Sequence, residues 1–490
     1  MNIHSINYSE EVVSSFCTDS KLLSKGVFYH CGINCCLISS EISILNALDV
    51  INTFLYKELE SVDILFIESD LFETILQRSI SSVDNSIVMM AHSLFIAAID
   101  NKVSDIHVVR LEQTAQIGFR INGSKVIHDE IDSELCDEMI FVMYNILAST
   151  KETTWNRQVS QNANIIFNHN GMSYRLRYAH NPIFGKGGLS YHVVLRIILP
   201  SVKSINPDLS FLRLNSFEEI DVMNMVSQPF GIYVIAGTTG SGKSLTLKTI
   251  LEWMAHYRFE NRGVFLSVED PVEYEIDGCY QSSVTASNES AMANAIKSAL
   301  RRDPDVLMIG EVRDEMSAKA LSTAVESGHY CFTTVHAGSI VTLLTRLISL
   351  GIGTDKLSTP GFIAGLQCQK LIPLLCGNCK VEIKNGFFNK SDNGCEQCRE
   401  GIIGRQLVCE YLIGTSSILE AIGNNRFDLV VEEWKKRRVY SHEGFGEGFT
   451  IREKVFFLVC KGRVCSSYFG NEFGGLLFIE SEIKEFLGAV

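Results

Sequence analysis

Apolar and polar positions follow different periods in different stretches of this chain, and each change of period marks a boundary. Within residues 84–205, Ile87, Met90, Ala91, Leu94 and Ala98 recur at helical spacing, with Asp84 or Asn85 placed to cap the helix. Residues 105–110 then read as a strand. Ile117, Phe119 and Ile121 alternate with polar neighbours and run into Asn122-Gly123, a hairpin pair because both residues tolerate positive φ. Asn170-Gly171 signals a second hairpin after a strand at 164–168. In the next strand Tyr174, Leu176 and Tyr178 share one face and Arg175 and Arg177 the other, and the last strand carries Arg196. The stretch is a small α+β domain, and 200–207 reads as the linker out of it.

From 206 to 370 the pattern changes. Short apolar runs at 232–236, 264–268, 306–309 and 330–335 suit strands covered on both faces. Helical stretches lie between them, one starting at Ser287 with Ala291, Ala295, Ala299 and Leu300 on its inner side. This alternation predicts an α/β fold with a parallel sheet. Residues 1–83 are less legible, with a strand at 62–68 and a short helix to Arg78. Residues 413–490 read as a mostly helical region, a reading that already begins after Arg405. There the basic run Trp434-Lys-Lys-Arg-Arg438 reads first as a solvated helix face, with anionic lipid or an acidic partner as alternatives.

Composition narrows the class. The length suggests about three domains, and 46% hydrophobic residues leave ample surface to bury. No run approaches the ~18–20 apolar residues of a membrane span, and Met1-Asn-Ile-His-Ser-Ile lacks the character of a signal peptide. A cytosolic protein is therefore expected. A net charge of −14 argues against a motor that tracks nucleic acid. The fifteen cysteines are expected as metal ligands or buried apolar residues rather than disulfides, and Cys31, Cys35 and Cys36, which lack a fourth ligand, as buried thiols.

Three constellations carry chemistry. Gly237-Thr238-Thr239-Gly240-Ser241-Gly242-Lys243-Ser244 has P-loop spacing, preceded by an apolar strand and followed by a helix that buries Leu247, Ile250, Leu251 and Met254. Its N–H groups and helix N-terminus suit phosphate, Lys243 the β/γ-phosphates and Ser244 a Mg²⁺ ion, which implies a nucleoside triphosphate site. Next, the strands at 264–268 and 306–309 end in Glu269-Asp-Pro-Val-Glu273 and Gly310-Glu-Val-Arg-Asp314. Acids at that edge of a parallel sheet orient water and support the metal. Gly310 stands where an Asp is usual, which shifts the duty to Glu311. The third constellation is Cys376-Gly-Asn-Cys379 with Cys395-Glu-Gln-Cys398, two pairs about fifteen residues apart that suit a closed, structural tetrahedral Cys₄ zinc site.

Taken in order, these motifs resemble the secretion ATPase superfamily that drives type II secretion and type IV pilus assembly. The resemblance rests on the P-loop, the aspartate box Ser267–Glu273, the Walker B segment from Leu300 to Asp314, and a histidine box from Thr323 through His329 to His336. Ser104-Asp-Ile-His107 and Phe119-Arg-Ile-Asn-Gly123 resemble landmarks of the family's PAS-like domain. The resemblance covers roughly residues 84–412. It implies an N-terminal partner-docking domain (1–83), a PAS-like α+β domain (84–205), a RecA-like P-loop core (206–370), a Cys₄ zinc element (371–412) and the helical region 413–490. It further implies Glu311 acting on the attacking water, Glu269 near the γ-phosphate and metal, and His329 and His336 in the γ-phosphate region. Arg177 and Arg196 match the arginines that such PAS-like domains present to nucleotide. Gly185-Lys-Gly-Gly-Leu-Ser-Tyr191 lengthens the connection between them, so Arg175 stays a candidate. The zinc element marks the extension or secretion type.

The expectation is thus a cytoplasmic, Mg²⁺-dependent ATPase that binds ATP, Mg²⁺ and Zn²⁺ and forms a ring, by resemblance a hexamer. It would lie peripheral to the inner membrane and drive a platform protein that extrudes pilin or pseudopilin. Alternatives are a conjugation or type IV secretion traffic ATPase, a nucleic-acid translocase, and a non-hydrolysing nucleotide-bound scaffold.

Overall fold

A computed structural model describes residues 27–30, 35–39, 63–67, 85–185, 190–200, 207–284, 290–384, 386–398, 400–441 and 444–474. The expected helix to Arg78, the linker residues 201–206, the helix start at Ser287 and Cys31 lie outside them. The chain divides into two compact units, Met1–Pro200 and Ser201–Val490.

The first unit holds two sheets. Strands β1 (Val27–His30), β2 (Cys35–Ser39) and β3 (Asp63–Ile67) form the smaller, with Cys36 buried. The larger follows helix α1 (Asn85–Asp100) and comprises β4 (Asp105–Arg110), β5 (Thr114–Ile121), β6 (Ser124–Asp132), β7 (Ala148–Lys151), β8 (Gln161–His169), β9 (Met172–Pro182) and β10 (Tyr191–Ile198), with α2 (Ser133–Val142) inserted after β6. Its order is β6-β5-β4-β10-β9-β8-β7, antiparallel throughout. Both predicted hairpins form, with Asn122 and Asn170 at φ of 51°. One face of the sheet packs Ile106, Ile117, Leu176 and Val193 against Phe95 of α1 and Met139 of α2. Buried Asp137 ties α2 to the strands by accepting from Tyr191 Oη (2.9 Å), Arg110 Nη2 (3.2 Å) and Arg157 Nη1 (3.1 Å).

The second unit is a three-layer α/β body. A capping box of Asn215 and Glu218 starts α3 (Ser216–Val226). There follow β11 (Gly231–Ala236), α4 (Lys243–Trp253), β12 (Phe265–Glu269), β13 (Cys279–Ser283), α5 (Ala291–Leu300), β14 (Val306–Ile309), α6 (Glu315–Glu326), β15 (Tyr330–Val335), α7 (Ile340–Ser349), the one-turn α8 (Thr354–Leu357) and β16 (Ile363–Leu375). Beyond them a small hairpin, β17 (Val381–Lys384) and β18 (Phe387–Asn389), leads to β19 (Ile402–Leu412). The sheet order is β13-β12-β14-β15-β11-β16-β19, parallel except for the last strand. Alternate residues of β11 serve opposite layers: Ile232, Val234 and Ala236 meet Leu321 and Leu343, while Tyr233 and Ile235 meet Leu247 and Ile250. This is the α/β body with a parallel sheet that the alternation of apolar runs predicts.

Two expectations need correction. The chain after Arg405 does not begin as helix. It is β19, paired antiparallel with β16 from Leu366↔Leu412 to Leu375↔Ile402, so both arms of the cysteine-bearing excursion belong to the main sheet. Helices α9 (Ser416–Gly423), α10 (Phe427–Lys435), α11 (Ile451–Cys460) and α12 (Ser466–Phe473) follow, with a two-residue ladder of β20 (Tyr440–Ser441) and β21 (Gly444–Phe445) between α10 and α11. The basic run is also not a bare solvated face. Arg437 pairs with Glu447 at 2.7 Å, and Lys436 pairs with Glu433 at 2.7 Å. Arg438 pairs with Glu453 and lies over the Phe449 ring. Buried Glu410 locks this region to the core, accepting from the first amides of α7 (Ile340, 2.6 Å) and α11 (Ile451, 3.0 Å).

Candidate nucleotide site and cysteine cluster

The site begins where β11, buried along its length, delivers the chain to Gly237. A Cβ there would lie 2.4 Å from Ser241 Oγ and 2.6 Å from the Gln369 carbonyl oxygen, so only glycine fits. Gly242, at φ +86°, turns the loop into α4 and acts as its N-cap. Lys243 Nζ donates to Gly237 O (2.8 Å) and Thr238 O (3.3 Å) and so lies along the loop. Burial pulls its pKa down, against the opposing pull of Glu311 and Glu273. Ser244 Oγ donates to Glu273 Oε2 at 2.7 Å. Thr238, Thr239 and Gly240 complete the turn.

The acids stand on the same sheet edge. Glu269 ends β12, 5% exposed, and its Oε1 accepts from Ser267 Oγ (2.6 Å) and Gln281 Nε2 (2.8 Å). Burial raises its carboxyl pKa, and those two hydrogen bonds oppose the shift. Glu311, just past β14, is gripped from two sides. Its Oε2 accepts from Arg313 Nε and Nη2, both at 2.9 Å, and its Oε1 lies 3.2 Å from His336 Nε2. Arg313 also reaches Asp270 at 3.4 Å. Thr334 Oγ1, on β15, donates to Gly310 O at 2.7 Å and fixes the backbone that presents Glu311. Gly310 leaves no gap: a Cβ there would lie 3.2 Å from Glu269 Cγ, so the neighbouring acid fills the space.

The parallel edge thus gathers the P-loop, Lys243, Ser244, Glu269, Glu311 and His336. It does not gather His329. Gly231 pairs with Tyr330 and Ala236 with Val335, which sets His329 at the other end of β15. Its amide and Nδ1 both meet Ala324 O, at 3.2 and 3.1 Å, closing the C-terminus of α6 beside Gly328 at φ +88°. The histidine-box spacing joined two residues that a six-residue strand holds apart.

Three residues given no role in the sequence belong to this edge. Glu273 meets Ser244, and its signal was its place in the same acidic box as Glu269. Arg313 stands two residues after Glu311 in the segment between β14 and α6, close enough for its guanidinium to fold back on that carboxylate. Gln369 donates from Nε2 to the Ser241 carbonyl at 2.8 Å, and its signal was its place at the head of Gln369-Lys-Leu-Ile-Pro-Leu-Leu-Cys376, a run that resembles the family's Q-R-L-type segment with Lys in place of Arg.

In the first unit, the exposed sheet face carries a cross-strand row. Arg120 is opposite Asp105, Asp105 opposite Arg196, and Arg196 opposite Arg177. Asp105 Oδ1 accepts from Arg196 Nε at 2.9 Å and tempers the cationic row. Arg175 lies two residues from Arg177 on the same strand face.

The four cysteines converge. Cys376, Cys379, Cys395 and Cys398 place all four sulfurs within 4.8 Å of one another. The spacings are 3.8 Å for Cys376–Cys395, 3.4 Å for Cys379–Cys398 and 3.6 Å for Cys395–Cys398. A tetrahedron with zinc–sulfur bonds of about 2.3 Å has edges of about 3.8 Å, so the set fits that ion. Backbone N–H groups of Asn378 and Cys379 bring the Cys376 thiol pKa down to about 7, while burial and the neighbouring thiols push that of Cys379 up to about 12, so the sulfur spacing and not the titration carries the metal reading.

Comparison with known proteins bears on the family and the fold. The type II secretion system protein E of Dickeya dadantii is 28% identical over 390 residues, covering 76% of this chain and 75% of the relative. The type IV pilus assembly ATPase PilB of Thermus thermophilus is 27% identical over 355 residues, covering 68% of this chain and 38% of that protein. The fold is shared with the Legionella pneumophila ATPase DotB, at a TM-score of 0.56 and 20% identity, covering 79% of this chain and 94% of that structure. It is shared too with the ADP-bound pilus retraction motor PilT, at 0.53 and 22%, covering 78% and 96%. The sequence model of the type II/IV secretion system proteins matches residues 81–456, and the chain belongs to that family.

Proposed function

We propose that this chain is a Mg²⁺-dependent ATP hydrolase whose turnover powers assembly of a type IV pilus or a type II secretion pseudopilus. It would work as a ring of identical subunits, a hexamer by resemblance, against an inner-membrane platform protein. The observation that carries the reading is Glu311, held between His336 and Arg313 on the edge that also bears the P-loop. Relatives named as secretion and pilus assembly ATPases support the biological setting. Among the described residues no helix is long and apolar enough to cross a membrane, consistent with attachment through a partner.

The residues divide the labour. Loop amides from 237 to 243 and the start of α4 receive the phosphates, and Lys243 leaves its loop carbonyls for the β/γ oxygens. Ser244, with Glu273 and Glu269 beside it, would hold magnesium, which when bound neutralises charge on the phosphate oxygens. Glu311 orients the attacking water and accepts its proton, while His336 and Arg313 keep the carboxylate aimed. By the family resemblance, Arg177 and Arg196 would supply positive charge to a transferring phosphoryl group. Such fingers contribute about 10³–10⁵ in rate. The cysteine tetrad holds structural zinc.

The test is ATP turnover per subunit across protein concentration, with Lys243→Ala as the blank. Turnover rising cooperatively with concentration is expected, and Glu311→Gln should retain ATP binding while losing at least about a hundredfold in rate. Unchanged turnover in Glu311→Gln would remove that residue from the chemistry. A parent rate equal to the blank, with and without membrane partners, would overturn the hydrolase reading.

A further inference from the structure

We infer that Gln369 is a positioning residue for the P-loop: its carboxamide holds the inward-facing carbonyl of Ser241 and so sets the direction of the loop amide that follows. The inference rests on the nucleotide-binding reading above. β16 pairs with β11 as far as Ala236↔Cys368, so Gln369 is the first residue beyond that ladder, level with the start of the loop. It is 2% exposed. Its Nε2 donates to Ser241 O at 2.8 Å and reaches Thr246 Oγ1 on α4 at 3.2 Å. One side chain therefore ties the loop to the helix it feeds.

The orientation of the amide is determined. Gln369 Oε1 accepts from Gln367 Nε2 at 2.8 Å, and Gln367 Oε1 in turn accepts from the Tyr233 hydroxyl on β11. A flipped Gln369 would set its oxygen against the Ser241 carbonyl, acceptor against acceptor. In a trans peptide the C=O and the following N–H point in opposite directions. Drawing Ser241 O inward therefore turns the Gly242 N–H outward, to the side where a phosphate oxygen is received. Without the carboxamide, a buried carbonyl loses its partner and the peptide plane is free to rotate. The strand under the loop thus supplies part of the phosphate site without touching the ligand.

The experiment compares the full-length parent with Gln369→Leu and Gln367→Leu. It measures the Kd for ATP with magnesium well below the thermal midpoint, together with KM, kcat and that midpoint. Gln369→Leu should weaken ATP binding and raise KM about tenfold with kcat within about threefold, the size of one lost buried hydrogen bond. Gln367→Leu leaves Gln369 in place but releases its oxygen, and should shift Kd the same way by about threefold. If Gln369→Leu does not fold, Gln367→Leu carries the test. Kd within twofold of the parent in the folded variants, with only the thermal midpoint lowered, would reduce both glutamines to structural roles and overturn the inference. A parent that binds no ATP, or a Lys243→Ala chain that binds it equally, would instead overturn the nucleotide reading and this inference with it.

Discussion

Asp221 shows how a single residue sets a pH response. Its Oδ2 is buried without a hydrogen-bond partner among the described residues. Burial, then the nearby carboxylates of Glu447 and Glu218, raise its pKa from 3.8 to about 6, against Lys454 and Arg437. Between those values the native chain keeps a proton that the unfolded chain has lost. Stability therefore falls as pH rises through that window and stays lower above it. Asp221→Asn should raise stability near neutral pH by about 1–2 kcal/mol, less than the full shift because water reaches the group. The gain should vanish below about pH 4, as read from denaturant midpoints. Gly310 makes the opposite case, a residue whose smallness is occupied by its neighbour. Gly310→Asp would set a second carboxylate against Glu269, 3.2 Å from the Cβ position, and restoring the usual acid should harm the site. Turnover is expected to fall at least about tenfold with ATP affinity less affected, and a rate equal to the parent's would contradict the packing argument.

At the scale of elements, legibility followed burial pattern. The runs at 306–309 and 330–335 match β14 and β15, and 264–268 differs from β12 by one residue, because each is a short apolar strand between helices. β16 and β19 escaped for identifiable reasons. β16 buries Gln367 and Gln369 at positions that read as polar, and it contains Pro373, which argues against a strand. Past Cys368, β16 has β19 on one side only, where a proline is tolerated. The four cysteines were legible because a ligand set needs only spacing, whereas His329 was misplaced because a motif carries no strand length. The pairing also sets what metal loss does. Since β16 and β19 stay in register up to Leu374↔Gly404 and remain paired, after one shift, at Leu375↔Ile402, stripping zinc should loosen only the excursion they enclose. Strong chelation or Cys395→Ser should release one metal per chain by elemental analysis and open a protease site between 376 and 401. The main sheet and ATP binding should be retained. Purified protein with no bound metal would refute the site.

For the whole molecule, the family match runs from residue 81 to residue 456 and so reaches into both units, taking in the cationic sheet face of one and the P-loop edge of the other. The concentration dependence of turnover reads whether chains cooperate. Fold class and sheet edge were legible because the motifs bring their strands with them. The supports beneath the loop were not, since they come from a strand more than a hundred residues downstream of the P-loop. That strand has a mechanical consequence. β16 runs from Gln369 under the P-loop to Leu375, immediately before Cys376, a distance of about 20 Å, with its register against β19 shifting only between Leu374 and Leu375. A strand stiffened by its partner transmits tension along its axis with little give. A partner pulling on the cysteine tip would therefore load the anchor of the phosphate loop directly, making nucleotide affinity a gauge of force on the assembly.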